Sequence, residues 1–558
     1  MPGGLLNLVA IGNANIFLTG NPTKTFFRTS YSKYTNFGLQ KFRIDFDGSR
    51  DLRLTEPSTF TFKMPRYAEL IMDTYLVVKL PDIWSPLYPP TNDTGNVWAP
   101  YEFRWIQNIG FQIIQEIVIT CGSFTLAKYS GQYLGAMVDR DFSTEKKKLV
   151  DKMIGNVPEL NDPSNAQGRL NNYPTAFNDE DTITSTGTEP SIRGRDLYIP
   201  LNTWFNLNSR CAFPLVSLQY NELTISVTLR PIQDLFQVRD IFDYGNSFPY
   251  IQPDFNQTRF QMYRFLQTPP GIDTSISDSF PSKVNVWNSD VHLISTYAFL
   301  SKDEAKLFAS EDQIYLVKEV FEYRFDNVTG SQKVELNSNG MISSWMWFFQ
   351  RNDINLRNEW SNYTNWPYRK IPDDIIPPTQ YLPNEEPLIT LPNVPFSALL
   401  NPNRSNTGIY VTGPYSTQNQ KHIMETMAVV LDGKYRENTL TRGIFDYIEK
   451  YTRTNGFAKE GIYCYQFCLD TNPLNNQPSG AMNLGKFRTV ELEFTTYVPT
   501  IDLVASNFSV ICNQNGDAIG VAKQNWRLYD YNFNLTVFEE RYNILSFVGG
   551  NCGMLYAR

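Results

Sequence analysis

The sequence predicts an all-β protein made of two consecutive eight-stranded antiparallel sandwiches, with long loops and a few short helices. Aromatic residues make up 14% of the chain, with 32 Tyr and 38 Phe, and these side chains favour strands. The 32 Gly and 34 Pro are spread along the sequence and indicate many turns. A chain of 558 residues is also too long for one ordinary core, which favours at least two domains.

Alternation of apolar and polar residues is the main evidence for strands. Three segments alternate cleanly, at residues 59–64, 222–229 and 489–498. Less regular segments follow the same rule, and their number suits two eight-stranded sandwiches better than one. We expect these strands at 39–46, 68–80, 111–126, 195–200, 289–298, 315–325, 343–349, 427–431, 463–469 and 532–538.

Helices are expected at only two places. Ser301 and Glu304 have the spacing of a capping box, so a short helix should begin at Ser301. A second helix is expected within residues 142–154, where four apolar side chains share a helical face. Long polar segments, predicted as loops, occupy residues 81–100, 155–194, 232–283 and 351–420.

Charge and hydropathy exclude several classes of protein. The net charge of −8 and the isoelectric point near 5.2 provide no basic surface for nucleic acid, and the run Lys146-Lys147-Lys148 is too short to change this. The first residues lack the basic and cleavage regions of a secretory signal, and no segment reaches the length of a membrane span. The six scattered cysteines suit reduced, mostly buried thiols better than a disulfide framework.

Catalytic chemistry has little support in the sequence. His292 and His422 are the two histidines of the chain, too few for the metal sites of jelly-roll enzymes, and no nucleophile motif accompanies them. We expect His292 to be packed within a strand. The sequence therefore predicts no enzyme and no catalytic, cofactor-binding or metal-binding residues.

Five sequence blocks resemble one family. The opening contains GNP-x-x-TFF at residues 20–27, followed by Tyr-Thr-Asn-Phe at 34–37. Four further blocks follow in the family's order, at residues 199–223, 297–309, 476–487 and 542–558. Together they resemble the major capsid proteins of nucleocytoplasmic large DNA viruses over the whole chain.

The resemblance implies a double jelly roll, with three copies forming a pseudo-hexagonal homotrimeric capsomer that tiles an icosahedral shell. It implies an N-terminal arm at 1–26, a first jelly roll at 27–232, a connection and surface excursion at 233–283, and a second jelly roll at 284–558. The expected partners are other copies, minor capsid and penton proteins and an inner viral membrane, in a virion assembled in the host cytoplasm. The arm residues expected to face minor capsid proteins or membrane are Leu5, Leu6, Leu8, Val9, Ile16 and Phe17.

Other classes of protein are also compatible with the sequence. A minor or paralogous double jelly-roll protein, or a membrane scaffold, would share the fold. A glycan-binding attachment protein would use exposed aromatic rings, for which the loop residues Trp360, Trp366 and Tyr368 are candidates. Aromatic residues at 344–347 and 358–368 form either contacts between subunits or each subunit's own core.

Overall fold

The computed structural model confirms an all-β chain with a few short helices. It describes residues 2–46, 48, 51–89, 99–169, 172–177, 188–242, 249–271, 279–365, 421–456, 458–475, 477–499, 509–512, 518–522 and 531–556. Within these residues the long strands form two sandwiches that follow one another along the chain.

The first sandwich has eight long antiparallel strands. They are β1 (Phe37–Ile44), β2 (Ser58–Lys63), β3 (Leu70–Leu80), β4 (Ile114–Cys121), β5 (Phe124–Tyr129), β6 (Arg195–Pro200), β7 (Leu223–Leu229) and β8 (His292–Leu300). One sheet has the order β1-β8-β3-β6, with Phe213–Pro214 pairing the other end of β3, and the other has the order β2-β7-β4-β5. Clean alternation of buried and half-buried residues in β7 matches its sequence pattern.

The second sandwich repeats this arrangement. Its strands are β9 (Gln313–Phe325), β10 (Ser331–Glu335), β11 (Met341–Arg351), β12 (Met424–Leu431), β13 (Lys434–Thr441), β14 (Ile462–Gln466), β15 (Val490–Thr496) and β16 (Phe533–Val548). The sheets have the orders β9-β16-β11-β14 and β10-β15-β12-β13. Strand for strand, this is the order of the first sandwich, and two such four-stranded sheets form a jelly roll.

Pairing of β8 locates the end of the first jelly roll. Residues 292–300 pair with β1 on one side and β3 on the other, so they complete the first sheet. The second jelly roll was expected to begin at residue 284, whereas its first strand in the structure is β9, at Gln313. The expected connection at 233–283 also contains strands, and Phe236–Arg239 pairs with both Tyr250–Ile251 and Phe103–Trp105.

Two strand predictions differ from the structure. The segment expected as one strand at 111–126 is a short helix at Ile109–Gln112 followed by the hairpin of β4 and β5, which turns at Gly122, where φ is +60°. The strand expected at 532–538 continues to Val548, because its second half pairs with β9 and with Asn551–Met554.

Helices are few and short in comparison with the strands. The longer ones are α1 (Gly3–Val9), α2 (Gly131–Asp141), α3 (Thr144–Met153), α4 (Lys302–Ser310) and α5, a π-helical turn at Ile444–Ile448 that continues as Glu449–Arg453. The predicted capping serine Ser301 accepts a hydrogen bond from the Glu304 amide. Helix α3 lies in the expected segment, whereas α2 was not predicted.

The remaining elements are short. Helical turns occur at Asn13–Asn15, Ile16–Thr19, Pro158–Asn161, Ala166–Gly168, Trp204–Leu207, Ser209–Cys211, Leu215–Ser217, Ile232–Asp234, Thr258–Phe260, Met262–Arg264, Ile354–Arg357 and Leu484–Lys486. Short strands occur at Leu87–Tyr88, Ala99–Pro100, Met482–Asn483, Ser509–Cys512 and Ala518–Ala522.

Candidate functional surfaces

The contact between the two jelly rolls begins with a strand that is buried on both faces. Every residue of β11 after Met341 is buried, in the sequence MISSWMWFFQR. Trp345, Trp347 and Phe349 point into the core of the second roll. Met346 and Phe348 point the other way and belong to the core that includes the first roll. An apolar run without alternation is typical of such a two-sided strand.

Helix α2 of the first roll covers the outer face of this sheet. Ten of its eleven residues are buried. The ring of Tyr133 packs edge-on against Phe538 of β16, with the ring centroids 5.5 Å apart, and Phe538 in turn contacts Phe348 at 5.7 Å. Gly456 of the second roll approaches the end of α2, where its amide donates to the Arg140 carbonyl oxygen at 2.9 Å.

A buried cluster of charges lies within this apolar contact. The guanidinium of Arg140 donates to both carboxylate oxygens of Asp141, at 2.9 and 2.7 Å, and to Oε1 of Glu540 at 2.8 Å. Glu540 also accepts hydrogen bonds from the Tyr133 hydroxyl at 2.9 Å and the Ser344 hydroxyl at 2.7 Å. The cluster therefore joins α2 of the first roll to β11 and β16 of the second.

Burial and the positive charge of Arg140 determine the pKa values of the side chains in this cluster. Burial by itself would raise the pKa of Glu540, but the charges of Arg140 and Lys318 and the Ser344 hydroxyl outweigh it and lower the pKa to about 2. Burial raises the pKa of Asp141, and Arg140 opposes this rise. Burial and the neighbouring Glu540 raise the pKa of the Tyr133 hydroxyl well above its ordinary value. Tyr133 is thus held as a neutral donor to Glu540.

This cluster was not predicted from the sequence, although the sequence contains one signal for it. The segment FNLTVFEERYNILSFV is apolar enough for a buried strand, yet it contains Glu539, Glu540 and Arg541 in succession. Charged residues are almost never fully buried without a partner, so such a run indicates buried ion pairs. The partners Arg140 and Asp141 are four hundred residues away, and no local pattern connects them.

The N-terminal arm is exposed along its whole described length. The apolar residues named above range from 43% exposed at Leu5 to 90% at Phe17, and Phe26 and Phe27 of the TFF block are 89% and 99% exposed. Helix α1 has no buried residue. An exposed apolar segment of this size is typical of an interaction surface.

Three of the aromatic residues considered above as loop or interface residues pack against their own chain. Trp345 and Trp347 are fully buried in the second core, so they serve the subunit itself. Trp360 is half-buried: its indole nitrogen donates to the Asp234 carbonyl oxygen at 3.0 Å, and the Arg230 guanidinium lies 4.4 Å from its ring. This ring is therefore held against its own chain. The other two candidates, Trp366 and Tyr368, lie outside the described residues.

The histidines do not come together in a site. His292 is buried in β8, where Nδ1 lies 2.7 Å from the Asp290 carbonyl oxygen, as expected for a packed side chain. His422 precedes β12 in the other roll, and burial lowers its pKa. Among the described residues, no three His, Cys, Asp or Glu side chains are grouped as metal ligands would be, and no helix is long and apolar enough to cross a membrane.

Comparison with known families divides the chain in the same way as the strands. Residues 25–293 match the family described as major capsid protein N-terminus, and residues 304–553 match the family described as large eukaryotic DNA virus major capsid protein. The interval between the two matches, residues 294–303, covers most of β8 and the start of α4 and precedes the first strand of the second roll.

Individual relatives are similar to this chain along its full length. The chain is 23% identical to the major capsid protein of Phaeocystis pouchetii virus and 22% identical to that of Paramecium bursaria Chlorella virus 1, covering 100% of both chains in each case. The capsid structure of the latter virus covers 96% of this chain and 100% of its own, with a TM-score of 0.58 and 18% identity. The Faustovirus major capsid protein covers 96% of this chain and 94% of its own, with a TM-score of 0.57 and 11% identity. The chain belongs to the major capsid protein family of nucleocytoplasmic large DNA viruses.

Proposed function

We propose that this chain is the principal shell subunit of its virus, and that three copies form a homotrimeric capsomer with a pseudo-hexagonal outline. The observation that carries the proposal is the repeated jelly roll, since two rolls with the same strand order give six similar units in a trimer. The role is structural and requires no catalysis. Family membership favours it over an attachment protein or a membrane scaffold.

The contact inside one chain indicates how neighbouring copies meet. Helix α2 follows the fifth strand of the first roll and covers the outer face of the sheet β9-β16-β11-β14. Helix α5 follows the fifth strand of the second roll, so it is the equivalent element. Its outward side chains Tyr447, Ile448 and Tyr451 are 59%, 51% and 91% exposed. In the part of the chain that the structure describes, no segment covers these three side chains.

The equivalent sheet of the first roll has exposed residues on the outer face of its two edge strands. Leu39 on β1 is 55% exposed and Tyr198 on β6 is 43% exposed, and Tyr75 and Ile294 lie between them on the same sheet. A contact between α5 of one copy and this face of the next would repeat the intramolecular contact. Such head-to-tail contacts generate a closed ring when the rotation allows it. Three copies and six rolls would complete that ring.

Native mass spectrometry of the purified chain tests the proposed trimer. We expect a complex of roughly three times 64.3 kDa. A chain that stays monomeric at all concentrations, while its circular dichroism shows folded β-structure, would contradict the proposal. A dimer as the largest species would contradict the ring.

Substitution of the proposed contact helix tests which surface forms the trimer. Tyr451→Ser together with Tyr447→Ser should shift the complex to monomers and leave the monomer folded, because both side chains are exposed. Tyr435→Ser is the matched control: Tyr435 is 53% exposed but lies on β13, in the other sheet of the roll. Equal loss of trimer in both variants would refute the assignment to α5.

We further propose that the N-terminal arm, residues 1–26, contacts minor capsid proteins and the inner viral membrane beneath the capsomer. The exposed apolar residues Leu5, Ile16 and Phe17 support this role. The full chain should float with neutral lipid vesicles if membrane is a partner, and Ile16→Ser with Phe17→Ser should abolish flotation. Flotation that persists in this variant would exclude the arm as the membrane contact, and absence of flotation in the unaltered chain would limit the arm to protein partners.

The same proposal places the chain in the virion capsid, assembled in the host cytoplasm, next to penton proteins and without direct contact with nucleic acid. The net charge of −8 supports the last point.

We also propose residues 301–312, which contain α4, as the junction between the rolls in place of residue 284, because the paired strands end at Leu300 and begin again at Gln313.

A further inference from the structure

Two cysteines that are far apart in the sequence meet at the boundary between the rolls. Cys121 is the last residue of β4 in the first roll, and Cys552 lies in the C-terminal strand Asn551–Met554. Both are buried, at 0% and 3% exposure, and the two thiols are in hydrogen-bonding contact with each other. Cys121, Cys211, Cys464, Cys468 and Cys552, the five cysteines whose side chains the structure describes, are all buried free thiols.

Backbone and side-chain hydrogen bonds join the segment before β7, the strand paired with β4, to the start of the C-terminal strand. The Gly550 carbonyl oxygen accepts a hydrogen bond from the Gln219 amide at 2.9 Å, and the Asn221 side-chain nitrogen donates to Oδ1 of Asn551 at 3.1 Å. Cys121 and Cys552 are each fixed within a strand ladder, opposite Leu223 and Phe547 respectively. The thiols therefore meet because the folds of both rolls place them there.

We propose that Cys121 and Cys552 are a redox-active pair, which an oxidising disulfide compound converts into a covalent link between the first roll and the C-terminal hairpin. In the first step, one thiolate attacks the external disulfide, forms a mixed disulfide and releases one thiol of the oxidant. In the second step, the other thiolate attacks the protein sulfur of the mixed disulfide and releases the second thiol. The protein loses two protons and two electrons, and the external disulfide is reduced to two thiols.

The hydrogen bond between the two thiols lowers the pKa of Cys121 and, together with burial, raises the pKa of Cys552. Either sulfur of the pair can supply the attacking thiolate. Access for the oxidant requires the hairpin to move aside, and this hairpin lies next to the exposed residues Leu555 and Tyr556. We therefore expect slow oxidation of the folded chain and faster oxidation in mild denaturant.

Counting thiols tests the proposal directly. The purified chain is incubated with oxidised glutathione at neutral pH, without urea and with urea below the unfolding transition, and is then denatured and alkylated. The unaltered chain should lose two of its six alkylatable cysteines, and peptide mapping should find residues 121 and 552 linked. Cys552→Ser should lose none. The matched control Cys468→Ser, which changes another buried thiol, should still lose two.

Two results would overturn the proposal. One is retention of all six thiols by the unaltered chain under both conditions, and the other is linkage of a different pair. A second readout is the unfolding temperature, which should rise on oxidation of the unaltered chain and stay constant in Cys552→Ser. These measurements use the chain irrespective of its oligomeric state, so their failure would leave the capsomer proposal untouched.

Discussion

Replacement of Arg140 by Met is the sharpest test of how the two rolls are held together. Met retains much of the apolar length of the side chain and removes its charge and its donors. In the structure, Arg140 is the cation shared by two carboxylates, Asp141 at 2.7 Å and Glu540 at 2.8 Å. All three side chains are essentially inaccessible to solvent, so water cannot replace the lost guanidinium.

The expected loss follows from leaving buried charges without their partner. Removal of one member of a buried ion pair costs about 3–5 kcal/mol. Glu540 keeps one cation, the Lys318 amino group at 4.0 Å, and Asp141 keeps the Thr471 hydroxyl at 2.6 Å. These remaining contacts are weaker than a bidentate guanidinium, so we expect a loss of about 4 kcal/mol, a large part of the stability of a typical domain.

Urea unfolding, followed by tryptophan fluorescence and circular dichroism, measures this loss. The matched control is Arg53→Met, which makes the same change in the exposed pair Arg53 and Glu56, with side chains 67% and 71% exposed. The control should cost less than about 1 kcal/mol. If the two variants lose similar amounts, the buried cluster does not stabilise the contact between the rolls, and our account of it is wrong.

Three further predictions concern the same contact and the arm. Glu540 has a folded pKa of about 2 against an ordinary value of 4.5, so its contribution of about 3 kcal/mol is complete above pH 4.5 and lost as the pH falls towards 2; Glu540→Gln should remove this dependence from unfolding curves measured across that range. Gly456→Ala would place a methyl group 2.7–2.8 Å from three carbonyl oxygens at the end of α2 and should cost about 1–3 kcal/mol by thermal unfolding. Gly135→Ala, a change within α2 whose methyl group would lie 3.7 Å from the Phe111 ring, should be neutral or stabilising by up to about 1 kcal/mol. Removal of residues 2–26 should leave the unfolding temperature unchanged, because none of these residues is buried; a fall of several degrees would show that the arm packs on its own chain.

Much of the fold was predictable because many of its strands have one buried face and one face towards solvent. In β2, β7 and β15 the burial pattern alternates along the strand as the sequence does. Prediction was less accurate where both faces are covered. The segment MISSWMWFFQR is strand β11, but its pattern does not indicate which side chains face the second core and which face the first roll. That division depends on packing between distant parts of the chain.

The contact surfaces between the rolls were less predictable than the strands, because they too depend on packing between distant parts of the chain. Helix α2 contains Gly131, Gly135 and two Asp residues, a composition that does not predict a helix. It forms because tertiary contacts bury almost its entire length. Gly131 is required there: a Cβ at this position would lie 1.9 Å from the Phe111 carbonyl oxygen. Local propensity did not favour this helix, and its tertiary contacts with both rolls explain it.

The two rolls share one strand order but differ in the outer face of the equivalent sheet, and this difference determines how they can pack. In the second roll, Met346, Phe348 and Phe538 make that face apolar, and α2 covers it within the chain. In the first roll the same face is mixed, with Leu39 and the Lys41 amino group, which donates to Thr296. A strongly apolar face is suited to permanent burial during folding, whereas a mixed face tolerates water until a partner arrives. If the proposed contact between copies is correct, we expect the two rolls to fold against each other first and to leave the weaker, equivalent contact for assembly with the next copy.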